Sequence, residues 1–257
     1  MIAFAGGALD PSRWRIFQNL GCLRSTASSN VLVRELIDLY FTEEQALPAT
    51  VLVAEAQPGA KGRGGKAWSA PPGRGLYLTI VRPAAEGEPL SVVPIAMARW
   101  LRDAVEGATR VNAGLKWPND LYVGRRKLAG VLSEARTQGD DTYVAVGIGL
   151  NVLDTAASVG VTGATTIEEE AGRPFDLAPL LQGVLDRIDG ELASPDWNHE
   201  VERWEKASLH EKGDRMTVLR DGEEITGEYL GLSPAGFLRL KTPTGEAVLS
   251  AGEVAKW

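Results

Sequence analysis

Between two short runs of branched apolar residues, Ala49–Ala54 and Leu76–Val81, lies the segment EAQPGAKGRGGKAWSAPPGRG, with six glycines and three prolines. Proline has no amide donor, and glycine carries a large entropic cost inside a regular element. The segment therefore reads as a loop and its flanks as buried strands. A chain so built must form a sheet and hang a long loop from it. With 257 residues, 44% hydrophobic and 24% charged, it holds enough apolar material for one large domain and a small satellite, and is no disordered chain. One cysteine excludes a disulfide framework and a multi-cysteine zinc site. No stretch is apolar enough over a bilayer's length, and Asp10, Arg13 and Arg15 interrupt the N-terminal residues. A cytoplasmic location is expected. A formal charge of −7 argues against a chain built to grip nucleic acid.

Helical spacing from Asn30 predicts an amphipathic helix, with Leu32, Leu36 and Leu39 sharing a face with Val33 and Tyr40. Ser28, Ser29 and Asn30 stand where helix caps belong. A second helix is expected over Ser91–Ala104, with Ile95, Met97, Ala98 and Leu101 inward. Ala113–Trp117 reads as extended up to Pro118, Leu121–Val123 and Lys127–Ser133 as a hairpin about Gly124, and Tyr143–Leu150 as a buried strand. Helices follow near Asp176–Ala193 and Asn198–Ser208. From Lys212 the texture turns to short alternating strands with turns at Asp221–Gly222, Pro234–Gly236 and Thr244–Gly245, a small all-β unit of about five strands. The fold class is α+β, a mixed sheet with helices packed on it, with domains at 1–210 and 211–257.

The loop QPGAKGRGGKAW combines backbone freedom with Lys61, Arg63 and Lys66, a combination that suits an anion such as phosphate and equally a solvated surface turn. It is not a P-loop: Ala60 stands where the first glycine belongs, and Ala67 where a hydroxyl is needed after Lys66. It is not a dinucleotide fingerprint either, because it leads to Pro71–Pro72 and a strand rather than a helix. In GLKWPNDL, Lys116 is a lone cation in an apolar run, which either meets an anion or snorkels to the surface. Asn151 ends the strand VAVGIGLN, as a turn residue or a ligand contact.

Taken in order, AKGRGGKAW, KWPND, RKLAGVLSE and VGIGLN resemble the motifs of biotin protein ligases (biotin–[acetyl-CoA-carboxylase] ligases). Thr26–Asn30, TASSN, resembles that family's T-x-S-T-N turn. Arg203-Trp204-Glu205 also matches, and the β-rich end from Met216 resembles its C-terminal SH3-like β-barrel. The resemblance covers roughly residues 24–257. Three positions depart from the family loop and turn: Ala60 replaces a glycine, Lys61 an arginine and Ser29 a threonine.

The resemblance implies a biotin/lipoate ligase-like catalytic domain that first joins biotin to ATP as biotinyl-5′-AMP, releasing pyrophosphate. It then transfers biotin to a lysine of a carboxylase's biotin carrier protein or domain. ATP, Mg²⁺ and biotin are implied. Lys116 and Arg63 are the implied catalytic residues. Ser28, Ser29, Asn30, Gln57, Lys61, Gly62, Arg63 and Lys116 are implied for biotin, and Arg63, Gly65, Trp68, Asn119, Lys127 and Asn151 for the nucleotide. Asp120 and Glu134 have no assigned place, and no metal ligands are assigned. The two histidines, His199 and His210, lack partner ligands, and Cys22 reads as a buried structural thiol. Relatives that repress transcription carry an N-terminal helix-turn-helix. With about two dozen residues before Thr26, the expected form is monofunctional, with no DNA and no membrane partner, and a homodimer is left open. The alternatives are a lipoate–protein ligase, which shares fold and adenylation chemistry, and a biotin-binding protein with a degenerate site.

Overall fold

The structure is a computed structural model, and residues 1–155 and 162–257 are described. In chain order the elements are β1 (Ile2–Phe4), β2 (Gly7–Leu9), β3 (Asn19–Leu23), α1 (Ser29–Thr42), β4 (Thr50–Ala54), β5 (Gly75–Pro83) and α2 (Val93–Thr109). Then come β6 (Gly114–Lys116), β7 (Asp120–Val123), β8 (Arg126–Gln138), β9 (Asp141–Asn151), α3 (Ile167–Ala171), α4 (Leu177–Ala193) and α5 (Trp197–Lys206). The chain finishes with β10 (Arg215–Arg220), β11 (Glu223–Leu232), β12 (Leu238–Thr242), β13 (Gly245–Leu249) and β14 (Glu253–Lys256).

Seven strands form a mixed sheet in the order β3-β4-β5-β9-β8-β7-β6, parallel only at β3–β4. The period-2 alternation of β9 divides its two faces. Val144, Val146, Ile148 and Leu150 enter the main core with α2 and α4, whereas Tyr143 and Ala145 pack under α1. Gly147, Gly149 and Asn151 continue the α1 face beyond the helix. Gly147 lies against the Asn30 side chain, and a Cβ at Gly149 would come within 2.5 Å of the Trp68 ring. Sheet pairing thus supplies a floor, and the two glycines leave it bare.

The C-terminal sheet is antiparallel throughout, in the order β13-β12-β11-β10-β14. Its turns fall at the Gly222, Gly236 and Gly245 signals. The expected barrel is instead an open sheet, with β13 and β14 as its two edges. It docks on the first sheet where the Trp117 Nε1–H donates to the Gly236 carbonyl at 3.0 Å. The inward face of α1 is Val33 and Ile37, with Leu36 and Tyr40 beside it, not the Leu32–Leu39 stripe, and Leu39 is 54% exposed. Cys22 is only half-buried on β3.

Three features carried no clear sequence period: the β1–β2 hairpin, strand β3 and helix α3. The three-residue strands β1 and β2 are too short to show alternation, the five residues of β3, NLGCL, do not alternate, and α3 is short enough that its ends are most of it. Thr166 caps the Glu169 N–H at 3.1 Å, and Gly172 closes the helix at φ 65°.

The N-terminal segment is anchored by one carboxylate. Asp189, 3% exposed on α4, accepts backbone N–H groups from Arg15, Ile16 and Phe17 at 2.7, 2.8 and 2.9 Å. Removing the acceptor leaves these donors without a partner at a largely buried seam. Asp189→Ala should cost about 3 kcal/mol or more of unfolding free energy, read from urea denaturation. A loss below about 1 kcal/mol would show that water replaces the carboxylate freely.

Candidate active site

Above the bare floor of β9 lies a cavity of about 550 Å³. Helix α1, the glycine-rich loop, strands β5 to β9, the β10–β11 turn and the start of β14 all contribute to its wall. Every site residue expected from the sequence lines it except Gly65. Gly65 sits at φ 74° beside Gly64 at φ 63°, so its part is to turn the loop. Ala60 has no positive φ, and the glycine it replaces is not required by the backbone here.

One end of the cavity is an ordered chain of polar groups. Gln57, 5% exposed, accepts the Ser29 N–H through Oε1 at 3.0 Å, which fixes the orientation of its amide because that N–H can only donate. Its Nε2 then donates to Ser29 Oγ at 3.0 Å. Thr79 Oγ1 donates to Asn30 Oδ1 at 2.6 Å, so Ser29 Oγ must donate its proton to Thr79 across 2.6 Å. Asn30 Nδ2 ends the chain on Glu134 at 3.3 Å. Glu134, unplaced from sequence, is therefore the terminal acceptor. Gln57 does the capping expected of the serines, and the Ser28 hydroxyl makes no capping bond.

The remaining wall is cationic. Lys61, Arg63, Lys66, Lys116 and Lys127 all border the cavity, with Asp120, Asp221 and Glu253 as its carboxylates. Asp120 is engaged by Lys127 at 2.7 Å, and Glu253 by Lys66. Arg63 donates to the Gly252 carbonyl at 3.0 Å and to Asn119 Oδ1 at 3.4 Å, and burial pushes its pKa down. Asn119 in turn donates to the Val131 carbonyl, so it braces Arg63 from the floor. Asn151 Nδ2 donates to the Thr165 carbonyl at 3.1 Å, which leaves Oδ1 as its group for a ligand. Trp68 lies over Gly149 with Lys127 5.4 Å from a ring centroid.

Lys61, which is exposed, and Arg63, which rests on neutral acceptors, lack a carboxylate partner, and Lys116 lacks one while buried. Lys116 is 8% exposed and makes no ion pair among the described residues. Its near neighbours are the Tyr122 hydroxyl at 3.5 Å and the Tyr122 ring at 4.9 Å. Burial pulls its pKa below 10.5, opposed by Asp120. An ammonium held this way is a standing site for an anion.

Sequence reasoning missed the C-terminal contribution: Leu219, Arg220, Asp221 and Gly252–Val254 reach the cavity from the second sheet. No spacing signal could show this, because it depends on how the two sheets dock. Elsewhere, His199 pairs with Asp196 at 2.9 Å on the surface. Among the described residues, no three acidic, histidine or cysteine groups gather as a metal site, and no helix is long and apolar enough to cross a membrane.

A mixed-sheet domain with a cation-lined cavity, bordered by a second sheet, defines a class that comparison with known proteins also finds. Residues 24–151 match the biotin/lipoate A/B protein ligase family, and residues 213–257 the biotin protein ligase C-terminal domain. The chain belongs to the biotin protein ligase family. The bifunctional ligase/repressor BirA of Escherichia coli is 32% identical over 203 residues, 74% of this chain and 60% of that protein. The chain thus spans about 60% of the length of the first curated relatives it matches. A biotin–[acetyl-CoA-carboxylase] ligase of Paracoccus denitrificans is 28% identical, over 79% of this chain and 88% of that protein. The solved biotin protein ligase of Aquifex aeolicus in complex with biotin and ATP superposes with a TM-score of 0.74 at 28% identity, covering 93% of this chain and 98% of that one.

Replacing Lys116 with Met removes a buried charge that has no carboxylate partner. The variant should melt no lower than wild type at neutral pH. The burial cost is present in full below the depressed folded-state pKa of Lys116. It fades as the pH rises from there toward 10.5, because the folded state releases its proton first. Any advantage of the variant should shrink across that window, as Tm measured from neutral to alkaline pH will show. A variant clearly less stable at neutral pH would mean that the surroundings hold the ammonium at a net gain.

Proposed function

We propose that the chain is an ATP-dependent biotin–protein ligase. The observation that carries this reading is the buried, unpaired Lys116 ammonium in a cavity that also holds the Gln57–Ser29–Thr79–Asn30 chain and the Arg63 guanidinium. Biotin's ureido ring needs a donor and an acceptor at one end of a mostly apolar slot, and the ordered polar chain offers both. Ser28, Ser29, Asn30, Gln57, Lys61 and Gly62 are assigned to that substrate. Trp68, Asn119, Lys127 and Asn151 are assigned to ATP, with Gly65 as the loop's pivot. Asn151 Oδ1 suits the adenine amino group, and the Trp68 face suits the ring.

The first step forms a bond between a biotin carboxylate oxygen and the α-phosphorus, and breaks the α–β phosphoanhydride as pyrophosphate leaves. Two anions approach, so positive charge must already be in place. Lys116 and Arg63 supply it, and neither breaks an ion pair first. In the second step an acceptor lysine amine attacks the acyl carbon, loses a proton and expels AMP. Mg²⁺ fits as the counter-ion of the triphosphate rather than as a caged metal, because Asp120 and Glu253 are bound to lysines, Asp221 pairs with Arg220, and no three such groups gather among the described residues. The acceptor is read as the carrier domain of a biotin-dependent carboxylase. The match of residues 213–257 favours biotin over lipoate, and the acidic net charge speaks against a DNA partner.

Biotin-dependent exchange of labelled pyrophosphate into ATP tests the first step, with lipoate and octanoate alongside. Biotin alone should support exchange, and Lys116→Ala should lower it by about a hundredfold or more while the protein stays folded. Exchange with lipoate instead would overturn the substrate, and none with any acid would leave a binding protein. Arg63→Gly should let the adenylate escape, read as indiscriminate labelling of added bystander proteins. Wild-type retention of the adenylate by that variant would remove Arg63 from this role.

A further inference from the structure

Two aromatic rings flank Lys116. Its ammonium lies 4.9 Å from the centroid of the Tyr122 ring and 5.9 Å from that of Trp257, the residue that follows β14. The two rings meet edge to face at 6.1 Å. Trp257 is fixed in turn by His210, whose ring meets it edge-on at 5.2 Å, and by the Arg125 guanidinium 4.4 Å from its centroid. His210 meets Tyr229 at 5.9 Å on the other side. His210 is 5% exposed with neither ring nitrogen bonded, and burial pushes its pKa down to about 4. It is therefore a neutral wedge at working pH. The C-terminal sheet thus delivers one aromatic face, and β7 the other, to a single lysine.

We propose that Tyr122 and Trp257 form an aromatic cage that positions the Lys116 ammonium, with Trp257 a positioning residue that links the C-terminal sheet to the reaction. The inference rests on the adenylation reading of the cavity. Its physical logic is that a carboxylate partner would hold the lysine equally well but would neutralise it. A ring face attracts the cation through its quadrupole and leaves the charge available to an incoming carboxylate and phosphate. The charged or titratable groups around the ammonium are Asp120 and Tyr122 on β7, Lys127 on β8, Glu253 on β14, Lys66 in the loop and His210. Arg125 acts on the far side through Trp257. Burial, reinforced by Asp120, holds the Tyr122 hydroxyl up at about 12, so it stays a neutral partner.

The test compares full-length Trp257→Leu and Trp257→Phe with wild type. Leucine keeps apolar cover but loses the ring face, and phenylalanine restores a face. In pyrophosphate exchange, Trp257→Leu should lower kcat about tenfold with little change in KM for biotin. The basic limb of its pH profile should move to lower pH, because the charged form of Lys116 has lost support. Trp257→Phe should recover most of the rate and return the limb. In parallel, Lys116 is titrated by NMR of ¹³Cε-labelled lysine, assigned with Lys116→Met, and should titrate lower in Trp257→Leu. An unmoved limb and an unmoved Lys116 titration in Trp257→Leu, or a phenylalanine variant as impaired as the leucine one, would overturn the cage. The NMR readout needs no turnover. A shifted Lys116 without exchange in wild type would uphold the cage and defeat the adenylation reading.

Discussion

The site depends on one strand face giving up its side chains. On the α1 side of β9, Tyr143 and Ala145 support the helix, after which Gly147 and Gly149 present only backbone. The Asn30 side chain lies against Gly147 and the Trp68 ring against Gly149. A side chain at either glycine would push its own neighbour away. The cavity is therefore a consequence of sheet alternation: the opposite face of the same strand stays in the core through Val146, Ile148 and Leu150.

Around that floor the polar groups are ordered before a ligand arrives. A backbone N–H fixes the Gln57 amide, the amide fixes the Ser29 hydroxyl, and the hydroxyl fixes Thr79 and Asn30. The cations divide into two kinds. Lys66 and Lys127 are paired with the carboxylates of Glu253 and Asp120, whereas Arg63 rests on the neutral acceptors Gly252 and Asn119 and Lys61 is exposed. Lys116 is buried without an acid and remains free to meet an anion. A cation without a carboxylate partner keeps its charge for an incoming anion, which Lys116 and Arg63 both do and Lys66 and Lys127 do not.

Much of this was legible in the sequence. The glycine–proline density of residues 55–75 marked the loop, and VAVGIGLN marked the buried strand that ends at Asn151. The turn signals at Gly222, Gly236 and Gly245 marked the second sheet. The α1 face was misread because leucines at helical spacing do not show which stripe meets the sheet, and the shorter Val33–Ile37 pair does. Asp120 and Glu134 had no reading because their partners, Lys127 and Asn30, are set by strand register and by helix docking. The share of the C-terminal sheet in the cavity was hidden for the same reason. Contacts between Arg63 and Gly252, or Lys116 and Trp257, join residues more than a hundred positions apart, and no local pattern carries them.

In the proposed reaction one cavity brings a carboxylate and an α-phosphate together at Lys116. A crystal structure of the chain with biotin and a non-hydrolysable ATP analogue tests it most directly. The ureido ring should lie at the Ser29–Gln57 end, with the carboxylate and the α-phosphate both within hydrogen-bonding reach of Lys116 Nζ. Ligands bound in this cavity with Lys116 turned to solvent, or bound elsewhere, would contradict it.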